Sequence, residues 1–281
     1  MSSAKPTPRL TISEIRALKG ERPICCLTAY DYPGALVCAR AGIELILVGD
    51  SLGNVVQGRP DTLGVTLEQM VYHTGLVARA LDEAALRGEL ERLPLLVADM
   101  PFLTFHTTPE RAVENAGRLL AEGGAQTVKI ESRPGIAEYV ERLTRVGVPV
   151  MGHLGLTPQA VHQLGGFRVQ GRDADAAREM IEQARRLEDA GAFAIVLELI
   201  PAELAAEISA AVGVPTIGIG AGAAVDGQIL VFHDLLGFPG ALKPRHVKRY
   251  LDADSLMTEA VAEYAAEVRR GDFPGPKHGF Q

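Results

Sequence analysis

The sequence predicts an α/β protein folded as a (β/α)8 TIM barrel, with an extra helix before the first strand and a helical tail after the last. Eight short runs of apolar, β-prone residues recur along the chain, and helical patterns separate most of them. The length of 281 residues is sufficient for such a barrel in a single domain. A doubly wound parallel sheet remains the alternative, because a strand count made from sequence can err by one or two.

The predicted strands are the runs at residues 24–30, 45–50, 95–100, 127–131, 148–153, 194–199, 215–220 and 229–234. Helical patterns occupy residues 66–81, 108–124 and 175–191 between them. Thr11 and Glu14 have the spacing of a capping box, which predicts the extra N-terminal helix. We therefore expect one domain over residues 1–281, with the barrel at 9–240 and an extension at 241–281 whose helix spans 256–271.

Composition excludes several classes of function. The formal net charge of −7 argues against a nucleic-acid surface, which usually needs a basic field. No apolar run approaches the roughly 20 residues of a membrane span, and the N-terminus has no secretory signal. Three cysteines without a CxxC spacing, two of them adjacent at Cys25 and Cys26, are typical of reduced core thiols. These features predict a soluble, cytoplasmic protein without nucleic-acid or membrane partners.

Ionisable residues end one predicted strand after another. A barrel collects the carboxyl ends of its strands on one rim, where the catalytic groups of such enzymes lie. A single Asp after a strand is usually a turn former or a helix cap, but several ionisable groups at the same end indicate an active site. The candidates are Asp50 with Ser51, Asp99, Lys129, Glu131, His153 and Glu198.

Asp50, Asp99 and Glu131 predict a metal site. Three converging carboxylates have raised pKa values unless a cation neutralises them. Oxygen-only ligands suit a hard ion such as Mg²⁺, and no Cys or His cluster competes for a softer metal. Lys129 lies two residues before Glu131, so both side chains share one face of a strand. Lys129 could bind an anionic substrate oxygen, or the two could form only a local ion pair.

Glu198 lies in the apolar run "FAIVLELIP", where an ionised carboxylate is costly to bury. That position makes it a candidate general base. His153, in "VMGHLG", could serve the substrate or be a hydrogen-bonded core histidine. The glycines of "GIGAG" at 218–222 lack the Rossmann spacing and a Walker lysine, so they predict close backbone approach and only weakly a phosphate site.

At these residues the sequence resembles the ketopantoate hydroxymethyltransferase family. The resemblance covers residues 9–240, and its most specific part is "GHLGLTPQ" followed by "LGG" and "VQGR", because no general physical rule demands that pattern. In "KIESRPG" the loop just after Glu131 departs from the family pattern, although Lys129 and Glu131 themselves match it. Other matching stretches are "LTAYDYPGA", "AGIELILVGDSLGNVVQG", "VTLEQMVYHT", "DMPF", "GAFAIVLELIP" and "PTIGIGAGAAVDGQILVFHDLLG".

The resemblance implies a (β/α)8 enzyme that transfers a one-carbon unit from 5,10-methylenetetrahydrofolate to 3-methyl-2-oxobutanoate through a Mg²⁺-stabilised enolate, giving 2-dehydropantoate for pantothenate biosynthesis. It implies one Mg²⁺ per subunit and a homodecamer. The implied metal ligands are Asp50, Asp99 and Glu131, and the implied proton acceptor is Glu198. The implied substrate-binding residues are Asp50, Ser51, Asp99, Lys129 and His153.

Two other functions stay open from the sequence. A barrel of the isocitrate lyase and phosphoenolpyruvate mutase type would also bind Mg²⁺ and a 2-oxo acid, but would act as a C–C lyase or mutase. The cysteine-bearing loop of the lyase members, of the "KKCGH" kind, does not occur in this sequence. A metabolite-binding barrel without catalysis is the third possibility, and the presence of Lys129, Glu131 and Glu198 argues against it.

Overall fold

A closed barrel of eight parallel strands forms the centre of the protein in a computed structural model that describes residues 7–240 and 244–280. Each strand pairs with the next along the chain, and β8 pairs with β1. The strands are β1 (Ile24–Thr28), β2 (Leu45–Val48), β3 (Leu95–Asp99), β4 (Thr127–Glu131), β5 (Val150–Gly155), β6 (Ala194–Glu198), β7 (Thr216–Ile219) and β8 (Gly227–Leu230). The predicted barrel is confirmed, and the doubly wound sheet is wrong because a doubly wound sheet would have two open edges.

Helices follow most of the strands, and α4, α5 and α8 confirm the three helical patterns of the sequence. Residues 220–226 join β7 to β8 as a loop, so this one connection contains no helix. The helices of the described residues are α1 (Ile12–Ala17), α2 (Tyr32–Arg40), α3 (Leu52–Val55), α4 (Leu67–Leu86), α5 (Pro109–Ala121), α6 (Ile136–Arg145), α7 (Val161–Leu164), α8 (Ala174–Asp189), α9 (Ala202–Ala211), α10 (Phe232–Leu236) and α11 (Ala253–Arg270), with short 3-10 helices at Pro158–Ala160 and Pro276–His278.

The predicted extra helix, α1, begins with the expected capping box. The Glu14 amide donates to Thr11 Oγ1 at 3.3 Å, and Glu14 Oε2 accepts from the Thr11 amide at 2.9 Å. Ile15 is fully buried in one cluster with Ile24 and Leu45, the first residues of β1 and β2. α1 therefore covers the amino end of the barrel and leaves the carboxyl end for the functional groups.

The interior of the barrel changes character along its axis. Successive side chains of a strand point to opposite faces, so every second residue faces the interior. On β3 that interior series runs from Leu95 and Val97, both in the apolar core, to Asp99. On β6 it runs from Val196 to Glu198. The apolar core thus fills the amino end, and the ionisable residues predicted as candidates follow it at the carboxyl end.

Two expectations about the first and last strands are wrong. The last strand was expected over residues 229–234, but β8 ends at Leu230 because the Phe232 amide donates to the Thr28 hydroxyl at 2.9 Å and starts α10. His233 and Asp234 accordingly belong to a helix, not to a strand end. Of the two adjacent cysteines only Cys26 is buried, whereas Cys25 is exposed, since neighbouring strand residues face opposite sides.

The chain forms two compact units, Met1–Phe232 with the barrel and His233–Gln281 with the C-terminal helix. α11 confirms the predicted tail helix and begins three residues earlier than expected, at Ala253. The sequence-based boundary at residue 240 falls next to residues 241–243, which lie outside the described residues. None of the helices in the described part of the chain is both long and apolar enough to cross a membrane.

Candidate active site

All of the predicted site residues lie at the carboxyl end of the barrel, as the strand ends indicated. Five of them are buried, while Ser51 and Glu198 are partly exposed. Ser51 Oγ lies 2.8 Å from the Tyr30 hydroxyl, so the segment after β1 supports Ser51, which lies just before α3. The residues and their positions are Asp50 and Ser51 directly after β2, Asp99 at the end of β3, Lys129 and Glu131 on β4, His153 on β5 and Glu198 at the end of β6.

Lys129 lies among three carboxylates. Its Nζ forms an ion pair of 2.5 Å with Asp99 Oδ1 and lies 3.4 Å from His153 Nδ1. Its partner is therefore Asp99, and the local pair with Glu131 that the sequence left open is not formed. Burial alone would lower the pKa of Lys129, but the carboxylates of Asp99, Glu131 and Asp50 outweigh it and raise that pKa. Lys129 is an ammonium at any physiological pH.

The carboxylates carry more negative charge than Lys129 neutralises. Burial, and next the charge of Asp99, raise the pKa of Asp50 to about 7. Burial, and next the charge of Asp50, raise the pKa of Glu131 well above its usual range. The rise in pKa that the sequence predicted for converging carboxylates is present at these two residues.

Asp50 and Glu131 are held by one neutral residue, Gln159. Its side-chain Nε2 donates to Asp50 Oδ2 at 2.8 Å and to the Met100 carbonyl at 3.0 Å. Its backbone amide donates to Glu131 Oε2 at 2.9 Å. The Asp50 amide in turn donates to Asp99 Oδ2 at 3.1 Å, so the three carboxylates belong to one network.

His153 joins this network to Glu198. Its Nδ1 faces the Lys129 ammonium, which can only donate, so Nδ1 is the acceptor and the proton sits on Nε2. Nε2 lies 3.1 Å from Glu198 Oε2. Burial, and then the charge of Lys129, lower the pKa of His153, which keeps the imidazole neutral. His153 is thus a buried histidine that lies among the predicted site residues, and its role toward the substrate stays a prediction.

The backbone around Glu198 leaves little freedom to the end of β6. The Leu156 amide donates to the Glu198 carbonyl at 2.8 Å, and a Cβ on Gly155 would lie only 2.1 Å from that oxygen. Leu199 follows with φ of 46°, a conformation that is rare for a residue with a side chain. The Glu198 side chain keeps 17% exposure, so it faces the barrel mouth and is not enclosed in the apolar strand.

The donor set fits Mg²⁺. Asp50, Asp99 and Glu131 offer only oxygen ligands, and together they place three carboxylates against the single ammonium of Lys129. Across residues 7–240 and 244–280, no three His, Cys, Asp or Glu side chains already converge on one point. Mg²⁺ is usually held by one or two carboxylates and several waters. The oxygen donors and the excess of carboxylate therefore fit this ion, and the three ligands expected from the sequence stay a prediction.

Comparison with known proteins identifies the family. The model of the ketopantoate hydroxymethyltransferase family matches residues 9–276. The chain belongs to this family. It is 51% identical over 273 residues to the 3-methyl-2-oxobutanoate hydroxymethyltransferase of Dehalococcoides mccartyi, covering 97% of this chain and 94% of that protein. It is also 51% identical over 272 residues to the enzyme of the same name from Chloroflexus aurantiacus, covering 96% and 92%.

Solved structures of more distant proteins share the barrel. An oxaloacetate acetylhydrolase superimposes with a TM-score of 0.60 at 17% identity, covering 97% of this chain and 90% of that one. A phosphoenolpyruvate phosphomutase from Streptomyces platensis subsp. rosaceus gives a TM-score of 0.60 at 15% identity, covering 95% and 92%. At such identities the likeness concerns the fold. Family membership favours the hydroxymethyltransferase interpretation over a lyase or mutase.

Gln159 belongs to the hydrogen-bond network of the site but was not among the candidate residues predicted from the sequence. It is neutral, it follows a strand by four residues, and no rule for catalytic or metal-ligating residue types points to it. The only signal was its place in "GHLGLTPQ", the stretch that carried the family resemblance without a physical reason. The contacts with Asp50 and Glu131 now supply such a reason.

Proposed function

We propose that this chain transfers a hydroxymethyl group from 5,10-methylenetetrahydrofolate to 3-methyl-2-oxobutanoate and gives 2-dehydropantoate, a step of pantothenate biosynthesis. Membership of the family supports the reaction. The observation that carries the assignment to this site is the single network that links Asp99, Lys129, His153 and Glu198 at the barrel mouth. It places an ammonium and a candidate base on either side of one imidazole.

We further propose that the site holds one Mg²⁺ per subunit, with Asp50, Asp99 and Glu131 as the ligands that the chain would supply. A bound divalent cation supplies a Lewis acid that polarises a carbonyl oxygen and stabilises the negative charge developing on it. The excess of buried carboxylate over ammonium supports this proposal, because a divalent cation balances the charge.

The side chains of the chain then divide the remaining work. Lys129 holds a fixed positive charge and orients an anionic oxygen of the 2-oxo acid. The Ser51 hydroxyl, which is held by Tyr30, donates a hydrogen bond to the same substrate. Glu198 accepts the C3 proton of the substrate, as a partly exposed carboxylate at the end of β6. Neutral His153 places its Nε2 3.1 Å from Glu198 Oε2, close enough to restrict where that carboxylate can lie. The enolate carbon then bonds to the methylene carbon, both C–N bonds of that carbon to the folate break with release of tetrahydrofolate, and one water supplies the hydroxyl oxygen of the product.

One assay tests the reaction and the metal together. Purified protein should form 2-dehydropantoate from 3-methyl-2-oxobutanoate and 5,10-methylenetetrahydrofolate, and EDTA should stop it until Mg²⁺ is added in excess. Asp50→Asn should be inactive at ordinary Mg²⁺, whereas Asp189→Asn, which alters an exposed carboxylate at the end of α8, should keep full activity. Circular dichroism checks folding, because Asp50 is buried. Product formation at an unchanged rate in EDTA would contradict the proposed metal site. The absence of product when both substrates are present would contradict the proposed reaction.

Assembly is a separate proposal that rests on the family resemblance. We propose that the chain self-associates into a decamer. Light scattering at micromolar concentration should give the mass of ten chains, and a monomeric mass would contradict the proposal.

A further inference from the structure

We propose that Gln159 is a positioning residue that sets the orientation of two carboxylates for the cation, so that metal affinity depends on a neutral amide. This inference rests on the proposed function of the site as a Mg²⁺ centre. It concerns a residue outside the predicted catalytic, substrate-binding and metal-binding sets. Three hydrogen bonds of Gln159 and one buried oxygen without a partner carry the argument.

The position of Gln159 follows from the turn after β5. The strand ends at Gly155, and a 3-10 helix over Pro158–Ala160 turns the chain back across the barrel mouth, closed by the Ala160 amide on the Thr157 carbonyl at 2.8 Å. The first amides of any helix lack partners within it. Here the Gln159 amide uses that freedom to donate to Glu131 Oε2 at 2.9 Å. The turn thereby restrains one oxygen of Glu131.

The side chain of Gln159 reaches the opposite side of the network. Both hydrogens of its amide face acceptors, Asp50 Oδ2 at 2.8 Å and the Met100 carbonyl at 3.0 Å. A flipped amide would set its oxygen against a carboxylate and a carbonyl, so the contacts decide the assignment of oxygen and nitrogen. The Met100 carbonyl holds the amide, and the amide holds Asp50. One residue therefore ties the loop after β5 to the ends of β2, β3 and β4.

The same amide has a free acceptor inside the site. Gln159 is 5% exposed, and its Oε1 is buried with no hydrogen-bond partner among the described residues. A buried carbonyl oxygen without a partner is costly, and it is satisfied when a donor such as water enters beside Asp50. Mg²⁺ usually keeps several waters when it binds to proteins. Gln159 would thus help the ion in two ways. Its Nε2 orients the Asp50 carboxylate, and its Oε1 can accept a hydrogen bond from a water on the ion.

Gln159 acts without changing the charge of the site, which separates it from the ionisable residues around it. The amide leaves Asp50 Oδ1 unengaged by Gln159 while it restrains Oδ2. Mutation of a residue that hydrogen-bonds to a metal ligand, without binding the metal itself, typically changes metal affinity or activity by roughly 10–100-fold. Loss of the amide donors should therefore weaken metal binding by roughly 10–100-fold, with all proposed ligands still present.

The test is a titration of the full-length protein with Mn²⁺, followed by the electron paramagnetic resonance signal of the free ion without substrates. Gln159→Met keeps the length of the side chain and removes both donors. Gln163→Met makes the same change at an exposed site four residues along the chain. Gln159→Met should raise the Kd for Mn²⁺ roughly 10–100-fold, whereas Gln163→Met should leave it at the wild-type value. High Mg²⁺ should restore much of the activity of Gln159→Met, which a merely structural residue would not allow.

The outcomes separate this inference from the proposed function. A folded Gln159→Met protein whose Kd stays within twofold of wild type overturns the positioning role and leaves the metal site intact. A wild-type protein that binds no Mn²⁺ overturns both. If Gln159→Met does not fold, Gln159→Asn decides the question, because it keeps a polar amide in the pocket but ends one methylene short of Asp50. Its Kd should rise in the same direction, and an unchanged Kd would refute the role.

Discussion

Replacement of Glu198 by Gln gives the clearest test of the proposed base. The substitution keeps the shape of the side chain and removes its ability to accept a proton at neutral pH. Removal of a general base typically slows proton transfer by roughly 10²–10⁴-fold. Each tenfold loss corresponds to about 1.4 kcal/mol in the barrier. The activation free energy should therefore rise by about 3–5 kcal/mol.

The structure predicts that stability changes far less than the rate. The Glu198 side chain is 17% exposed and its carboxylate contacts His153 Nε2 at 3.1 Å. The peptide itself is held independently of the side chain, by the Leu156 amide on the Glu198 carbonyl. Glu198→Gln keeps the size and polarity of a partly exposed side chain, so the free energy of unfolding should change by no more than about 1 kcal/mol.

Exchange of the substrate's C3 proton with deuterated water is the appropriate assay, because it reports enolisation without the folate. Proton NMR of 3-methyl-2-oxobutanoate with Mg²⁺ should show exchange slowed by roughly 10²–10⁴-fold in Glu198→Gln, with substrate affinity close to wild type. Glu203→Gln, an exposed carboxylate in the first turn of α9, is the control and should exchange normally. Near-normal exchange in a well-folded Glu198→Gln protein would refute the assignment.

Three further predictions concern stability. Mg²⁺ at about 100 times its Kd should stabilise the fold by about 2.7 kcal/mol and raise Tm by about 5 °C in calorimetry; a Tm equal to that in EDTA would contradict the site. Lys129→Met should lower the free energy of unfolding in EDTA by about 3–5 kcal/mol, since it strands Asp99 without its buried partner; a loss below 1 kcal/mol in urea denaturation would be inconsistent with that. Gly155→Ala should cost at least about 2 kcal/mol, from its φ of +92° and its clash with the Glu198 carbonyl. Gly165→Ala, at φ of +68° with open space around it, should cost only the backbone strain, and equal losses in both would argue against the clash.

The barrel could be predicted from the sequence because its physics is local and repetitive. Apolar runs of strand length alternate with capped helices, as in the Thr11 capping box and the helix start at Thr108. The prediction weakened where the repeat is broken. The connection of β7 to β8 has no helix, and the short strand β8 was placed too late because apolar residues continue past Leu230 into α10. A long-range bond from Phe232 to Thr28 ends that strand, and the sequence contains no local sign of it.

The ionisable part of the site was also predictable, because barrels bring strand ends together and charged residues are conspicuous there. The pairing among those residues was not. Lys129 could have paired with Glu131, its neighbour on β4, but it pairs with Asp99 on the adjacent strand β3. Residues two apart on a strand share a face, yet adjacent strands set which charges meet. Only the register of β3 against β4, with Asp99 opposite Lys129, decides this.

Family membership confirms the predicted class of enzyme, and the residue roles within the site remain predictions that the variants above test. Gln159 was the site residue that was hardest to predict from the sequence, because an uncharged amide in a turn looks like any other polar loop residue. Its importance arises from where its donors end: one at Asp50, one at Met100 and the backbone amide at Glu131. Carboxylates in a buried site repel one another and need restraint as well as a counter-charge. A cation can supply the counter-charge. A neutral donor such as Gln159 restrains the carboxylates without neutralising the negative charge that binds the cation. We therefore expect the neutral donors around this network, as much as its charged residues, to determine how tightly the metal is held.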